Sequence, residues 1–283
     1  MTVAPRYDRV VSLVFVVLIG LAVVFVIDGN PNTLQIVLGG DLPRLPISWL
    51  LIGSLVVITS AGADLVARQH PQMQTRSLPT ISLGLIRFEV APGFWILPSF
   101  SVIGSFAFFR LFSGVLQGAA FILALLAAGG SLLAVLVCQH YALDRDLAIS
   151  RRAQTVLSIF TYLLAFGCFS AIYYARLRTL YSASLVGLVG TLLAYEALQW
   201  SGQQGMFRLA LLTGVLLGEI TWPLNYWATT FLLAGTLLLV IFYSVVGLLQ
   251  HQVAGRLHTR LIIEYGLLGG GLLAAVIYAT FAL

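Results

Sequence analysis

Four carboxylate residues fall in or beside long apolar runs of this chain, where their type and position suit them to bind or move charge. They are Asp64, Glu196, Glu219 and Glu264. An ionisable side chain at the centre of a bilayer costs about 2.5–3.5 kcal/mol on insertion scales, so each carboxylate needs a partner or a function. Asp64, Glu196 and Glu264 have shallow positions and neighbouring arginines, which favours ion pairs at the membrane interface.

Glu219 differs from the other three because no arginine lies within six residues of it and Pro223 follows by one helical turn. Proline lacks an amide hydrogen and disfavours helix in the residue before it. Backbone that leaves its helix at membrane depth is tolerated only where protein buries it or where it lines a cavity. We therefore predict a ligand or ion pocket at Glu219, Trp222, Pro223 and Asn225. The alternative is a short turn between spans, with Glu219 bonded to a neighbouring helix.

A second polar group is predicted on the cytoplasmic side, formed by Glu196, Arg208, Arg260 and Glu264. A lipid-modifying enzyme would depend on Glu196, Arg260 and Glu264 of this group together with His258. The chain has no HExxH zinc motif, no DxxxD pair for prenyl diphosphates and no GxSxG nucleophile motif. The sequence therefore leans away from an enzyme and assigns no catalytic residue and no metal site.

The elements that must position these residues are membrane spans. Of the 283 residues, 60% are hydrophobic and 9% are charged, and the apolar runs of about 20 residues are each long enough to cross a bilayer. We predict an all-α polytopic transmembrane helix bundle that forms one integral membrane domain over residues 1–283. It has nine spans, or eight if the seventh only dips into the membrane. The predicted spans are residues 10–27, 47–67, 94–112, 115–138, 153–174, 182–200, 207–222, 226–249 and 261–282.

The basic residues exclude several functions, because all fifteen are arginine and the chain has no lysine. A lysine Schiff base to retinal or pyridoxal phosphate is excluded, as is a P-loop with its phosphate-binding lysine. The net charge of +5 is spread over loops, so no nucleic-acid partner is predicted. Cys138 and Cys168 fall inside predicted spans and form no CxxC pair, which gives no sign of a disulfide framework.

The distribution of arginine predicts the orientation of the chain. With a cytoplasmic N-terminus, eleven of the fifteen arginines lie on the cytoplasmic side, as the positive-inside rule requires. An odd number of spans then places the C-terminus outside. We predict a multi-pass protein of a bacterial-type plasma membrane.

Glycine spacing predicts which spans pack together. Gly214 and Gly218 in span seven, and Gly266 and Gly270 in span nine, are GxxxG pairs that permit close approach of two helices. We expect spans seven and nine to pack together, with Glu219 turned toward the bundle.

The four histidines all fall on the predicted cytoplasmic side and are expected to be solvated at the interface. A haem or chlorophyll-type ligand at His140 or His251 is the alternative. No cofactor is predicted.

The segments Gly218–Asn225 (GEITWPLN) and Trp95–Pro98 (WILP) resemble multi-pass bacterial membrane proteins that are themselves uncharacterised. The resemblance implies a fold of packed spans and no activity. From the residues, we predict a non-enzymatic transport-like or small-ligand-binding protein with its pocket near Glu219. The alternatives are a structural or accessory subunit of a larger membrane complex, with membrane proteins as partners, and a lipid-modifying enzyme. The lipid bilayer is the one partner common to all three.

Overall fold

The computed structural model describes residues 5–29, 35–36, 45–74, 80–83, 86–89, 93–200, 205–227 and 230–282. This part of the chain is dominated by long helices. They are α1 (Tyr7–Asp28), α2 (Ile47–Ala67), α3 (Pro71–Gln74), α4 (Ile96–Leu111), α5 (Ala119–Ala142), α6 (Leu147–Tyr174), α7 (Thr179–Gln199), α8 (Met206–Asn225), α9 (Phe231–Val253) and α10 (Thr259–Ala282). Two short antiparallel strand pairs lie in the connections, β1 (Gln35–Ile36) with β2 (Leu45–Pro46) and β3 (Thr80–Leu83) with β4 (Ile86–Glu89).

Seven of the described helices are long and apolar enough to cross a membrane: α1, α2, α5, α6, α7, α8 and α9. The chain therefore has the helices of a membrane-embedded protein, as predicted. α8 has 20 residues, or about 30 Å of helix, which matches the hydrocarbon thickness of a bilayer. α4 is shorter, with 16 residues, and α10 has 24. Each predicted span falls on one of these nine helices, and the count of nine spans stays a prediction.

The chain divides into two compact units, Met1–Leu157 and Ser158–Leu283, so that α6 contributes to both. In unit 1, α1, α2, α4 and α5 share one hydrophobic core. The buried residues of α1 recur every three or four positions, which is the spacing of one helix face. They are Val10, Val14, Val17, Leu21 and Val24. The prediction of a single membrane domain stays a prediction.

Side-chain contacts fix which helix ends of unit 1 lie together. The Tyr7 and Tyr141 hydroxyl oxygens are 3.2 Å apart, which joins the start of α1 to the end of α5. The rings of His70 and His140 meet edge to face with centroids 4.8 Å apart, which adds the end of α2. At the other end of α1, the Ser48 hydroxyl donates to Asp28 at 2.6 Å.

In unit 2, α7 and α8 form a close antiparallel pair because glycines face each other between them. A Cβ added at Gly187 would lie 3.1 Å from the Gly214 carbonyl oxygen, and one at Gly218 would lie 3.1 Å from the Ala183 carbonyl oxygen. The expected packing of spans seven and nine through their glycines is therefore wrong for Gly214 and Gly218, which meet α7. A Cβ added at Gly266 or Gly270 would have no neighbouring atom within 4 Å, so these two glycines make no close helix contact. The helix that carries them, α10, packs on α9.

Three helix boundaries differ from the sequence prediction for local reasons. The fourth span begins at Ala119 rather than 115, because Gly118 has a φ of +55° that breaks the helical path. The fifth span begins at Leu147 rather than 153, because the Asp146 carboxylate accepts the Ala148 amide at 2.9 Å and starts α6 there. α9 begins at Phe231, where the Thr230 side chain accepts the Leu233 amide.

Candidate functional site

Among the carboxylates that the structure describes, Glu196 is the one that the fold encloses most completely. It lies in α7, three residues before the end of the helix at Gln199, or about 5 Å along its axis. Its side chain has no solvent-exposed surface. The Gln199 side-chain amide, on the same face of the helix, donates to the Glu196 carboxylate at 2.5 Å. The predicted ion pairing of Glu196 at the membrane interface stays a prediction, and the structure adds that its side chain is buried.

The neighbours of Glu196 along the chain show what encloses it. The Gln250 side-chain amide of α9 donates to the Ala197 carbonyl oxygen at 3.1 Å. Leu198 packs with Met206 of α8 and Leu249 of α9 in one buried cluster. Because α8 and α9 both close on this end of α7, Glu196 lies inside the helix packing of unit 2. Gln199 is the glutamine that contacts the carboxylate, and Gln250 binds the backbone of the next residue.

The structure leaves the predicted pocket residues on the outside of α8. Glu219, Trp222 and Pro223 are exposed, and Asn225 is half-buried. Gly218 faces α7, and the next residue along the helix, Glu219, is turned away from that contact. Trp222 is 53% exposed. The pocket of Glu219, Trp222, Pro223 and Asn225 stays a prediction, and in unit 2 these four residues do not enclose one another as Glu196 is enclosed.

The expected break of the helix at Pro223 is wrong. α8 continues through Pro223 and ends at Asn225. A proline in the last turn removes only the bond from its own position to the carbonyl of Glu219, four residues earlier, so the helix keeps its remaining bonds. The Tyr173 hydroxyl of α6 donates to the Leu224 carbonyl oxygen and satisfies one of the terminal carbonyls of α8. The side-chain amide nitrogen of Asn225 (Nδ2) is buried and has no hydrogen-bond partner among the described residues.

The predicted cytoplasmic cluster separates into two environments. Arg260 and Glu264 form an ion pair at 3.1 Å on the surface of α10, as their spacing of four residues indicates. Arg208 is exposed near the start of α8, whereas Glu196 is buried. Asp64 and Arg68 also form the expected pair, at 2.6 Å.

Unit 1 holds a second polar group that the sequence did not indicate. His70 and His140, expected to be solvated, are buried, with 3% and 6% of their surface exposed. His140 lines a small cavity with Gln139, Phe94 and Leu136. Burial, and then the nearby charge of His140, lower the pKa of His70, while Asp144 acts in the opposite direction. His70 follows α2 by three residues, so only the fold brings it to α5.

The described residues contain no group of three or more histidine, cysteine, aspartate or glutamate side chains placed to hold a metal ion. Sequence reasoning also missed Gln199 and Gln250. Gln199 could have been found, because a spacing of three residues places it on the same helix face as Glu196. Gln250 could not, since only the packing of α9 on α7 brings it there.

Comparison with known families gives one match, to the family described as "Protein of unknown function (DUF5656)", over residues 29–279. The matched range includes both segments that carry the resemblance to uncharacterised membrane proteins, and the expectation that the relatives have no assigned activity is confirmed. No curated protein and no solved structure matches the chain.

Proposed function

We propose that this chain, which belongs to the DUF5656 family of proteins of unknown function, is a non-enzymatic, transport-like or small-ligand-binding protein of a membrane. In this proposal the Glu196 carboxyl group takes up a proton or a small monovalent cation. The observation that carries the proposal is the complete burial of Glu196 in a helix long and apolar enough to cross a membrane.

Burial makes the charge of a carboxyl group sensitive to its immediate surroundings. In a low-dielectric interior the ionised form depends on hydrogen bonds and nearby positive charge, and the group takes a proton where these do not suffice. The Gln199 side-chain amide donates one such hydrogen bond to Glu196 at 2.5 Å. Ionisable side chains that face the interior of a membrane bundle commonly mark the route of a proton or an ion. A carboxyl group that exchanges a proton for a cation would couple the two.

Proton and cation movement in proteoliposomes tests this proposal. Vesicles containing a pH-sensitive dye and the full chain are given an outward or inward gradient of Na⁺ or K⁺, and the internal pH is followed. We expect the wild type to move protons against the cation, and Glu196→Gln to abolish the response. Glu264→Gln is the matched control, because it removes a carboxylate that is exposed and paired with Arg260.

An unchanged response in Glu196→Gln would contradict the proposed role of Glu196. Glu219→Gln in the same assay tests the predicted outer pocket. If Glu219 belongs to the route, this variant also loses coupling. If its coupling equals that of the wild type, the pocket prediction is wrong.

The second candidate function is that of an accessory subunit of a larger membrane complex. It is favoured by the exposed stripe at the end of α8, where Glu219, Trp222 and Tyr226 share one side of the helix. A carboxylate turned toward lipid is unfavourable, and a partner helix that offers a hydrogen-bond donor would relieve it. Native mass spectrometry after mild detergent extraction should then show a stoichiometric partner that Glu219→Gln with Trp222→Ala releases. A particle that contains this chain alone would contradict it.

A further inference from the structure

We propose that five exposed arginines at one end of unit 1 bind the phosphate groups of anionic phospholipids. They form the arginine face, defined as Arg6, Arg9, Arg145, Arg151 and Arg152. This proposal is independent of any role of Glu196.

The fold brings these arginines to the same end of unit 1. Arg6 and Arg9 flank Tyr7, and the hydroxyl of Tyr7 lies 3.2 Å from that of Tyr141 near the end of α5. Arg145 follows in the short connection from α5 to α6. Arg151 and Arg152 lie four and five residues after the start of α6 at Leu147, or about 6–8 Å along the helix. Because α1, α5 and α6 are all long and apolar enough to span, their shared end lies at a membrane surface.

The acidic residues nearby have other roles. The Asp146 carboxylate accepts the Ala148 amide at 2.9 Å, and Asp144 accepts the Asp146 amide at 3.4 Å. Asp8 lies in the first turn of α1, where a negative charge is favoured by the helix dipole. In the described part of the chain, no ion pair joins an arginine of this face to an acidic side chain. Arg68, by contrast, is held by Asp64.

Unpaired guanidinium groups at a membrane surface match the chemistry of a phospholipid phosphate. Arginine stays protonated, and its planar fork donates two parallel hydrogen bonds to phosphate oxygens. Basic residues next to a span attract anionic lipids by about 1 kcal/mol each. The positive-inside rule accounts for arginine on one side of the membrane. It does not account for five exposed guanidinium groups at the same end of unit 1 for which the described residues show no acidic partner.

Lipid retention by the full chain tests the proposal. Nanodiscs that contain phosphatidylglycerol and phosphatidylcholine are ejected in a native mass spectrometer, and bound lipids are counted. We expect the wild type to retain phosphatidylglycerol selectively, and Arg151→Gln with Arg152→Gln to weaken its binding by about 25-fold, or about fivefold for each arginine. Arg256→Gln with Arg260→Gln is the matched control, since it removes the same charge elsewhere and should leave retention unchanged.

The proposal is overturned if the control loses as much lipid as the variant, or if phosphatidylcholine binds the wild type equally well. It is also overturned if inorganic phosphate at millimolar concentration displaces the lipid, because the site would then serve a free anion. A second double variant, Arg6→Gln with Arg9→Gln, changes the start of α1 instead of α6. A folding defect in α6 therefore could not explain a loss of lipid in this variant. This second variant should show a loss of similar size, and full retention by both variants would contradict the proposal.

Discussion

Two carboxylates on neighbouring helices of unit 2 differ in environment and therefore in expected chemistry. Glu196 has no exposed surface and a glutamine amide at 2.5 Å, whereas Glu219 is exposed on α8. A buried carboxyl group changes its charge only when a proton or cation enters the protein. An exposed one in a membrane responds to whatever packs against it. In the proposed function Glu196 therefore takes up a proton or cation, and in the second candidate function Glu219 contacts a partner.

His70 provides a prediction about pH. Burial and the adjacent His140 lower the pKa of His70 below its ordinary value of 6.5. Between that lowered pKa and about 6.5, the unfolded chain binds more protons than the folded one, so stability rises with pH and is lost as pH falls. We expect the thermal midpoint of unfolding to drop between about pH 7.5 and about pH 5.5, and His70→Gln to reduce that drop.

His258→Gln is the control for this prediction, because His258 is exposed and should leave the pH dependence of the wild type unchanged. Asp144 lies near His70 and opposes the effect of His140. An equal drop in wild type and His70→Gln would show that His70 does not contribute.

The sequence predicted residue contacts where they are local. Asp64 with Arg68 and Arg260 with Glu264 are four residues apart, and helix geometry alone brings such pairs together. The contact of His70 with His140 spans 70 residues of chain, and no local rule indicates it. The burial of Glu196 was missed for the same reason. Its distance from the helix end was clear, but the closure of α8 and α9 over that end was not.

At the scale of elements, the α7–α8 pair depends on Gly214. A Cβ at this position would overlap the Thr191 hydroxyl and the Gly187 carbonyl oxygen. Gly214→Ala should therefore cost about 1–3 kcal/mol, the usual range for overpacking. The midpoint of thermal unfolding in detergent provides the measurement.

Gly130→Ala is the matched control for Gly214→Ala. Gly130 lies inside α5 and has open space where its Cβ would be. Alanine favours helix over glycine by about 0.8–1 kcal/mol, so this variant should be neutral or more stable. Equal destabilisation by both substitutions would argue against the close approach of α7 and α8.

Pro223 gives a second prediction at this scale. It lies in the last turn of α8, within three residues of the helix end at Asn225. Pro223→Ala would add an amide hydrogen facing the carbonyl of Glu219, so we expect stability to be retained or raised by about 1 kcal/mol. A large loss of stability in the same unfolding assay would show that the proline has a structural role that the helix does not reveal.

The existence of the helices could be predicted from hydropathy, but their ends could not. Apolar runs of about 20 residues mark spans whatever their neighbours are. The ends depend on single groups such as the carboxylate of Asp146 and the φ of Gly118. Such groups also lie in ordinary loops, so the sequence alone did not single them out. The sequence prediction ended this span at 222 because proline usually breaks a helix. Pro223 lies in the last turn of α8, where a missing amide hydrogen costs the helix only one bond.

At the scale of the whole molecule, the predicted orientation places the arginine face in the cytoplasm. Impermeant thiol reagents test this in a background with Cys138→Ala and Cys168→Ala. Arg152→Cys should react only when reagent reaches the cytoplasmic side, and Thr230→Cys only from the opposite side, because three predicted crossings, α6, α7 and α8, lie between the two residues. Reaction of both residues from the same side would contradict the orientation.

The chain belongs to the DUF5656 family, whose function is unknown. The proposals for Glu196 and for the arginine face can therefore be tested on other proteins of that family. The described part of the chain combines seven helices suited to crossing a membrane with the enclosed Glu196 and the arginine face. The two proposals place the work of the protein inside the membrane and at its lipid surface.

Infrared difference spectroscopy of the reconstituted chain tests the central claim most directly, because it observes the Glu196 carboxyl group itself. Spectra are recorded as pH is lowered and as Na⁺ or K⁺ is added, for the wild type, Glu196→Gln and Glu264→Gln. We predict a carboxylic acid C=O band that appears on acidification, disappears on cation addition, and is absent only from Glu196→Gln. A wild-type spectrum with no band that depends on Glu196 at any pH or cation concentration would contradict it.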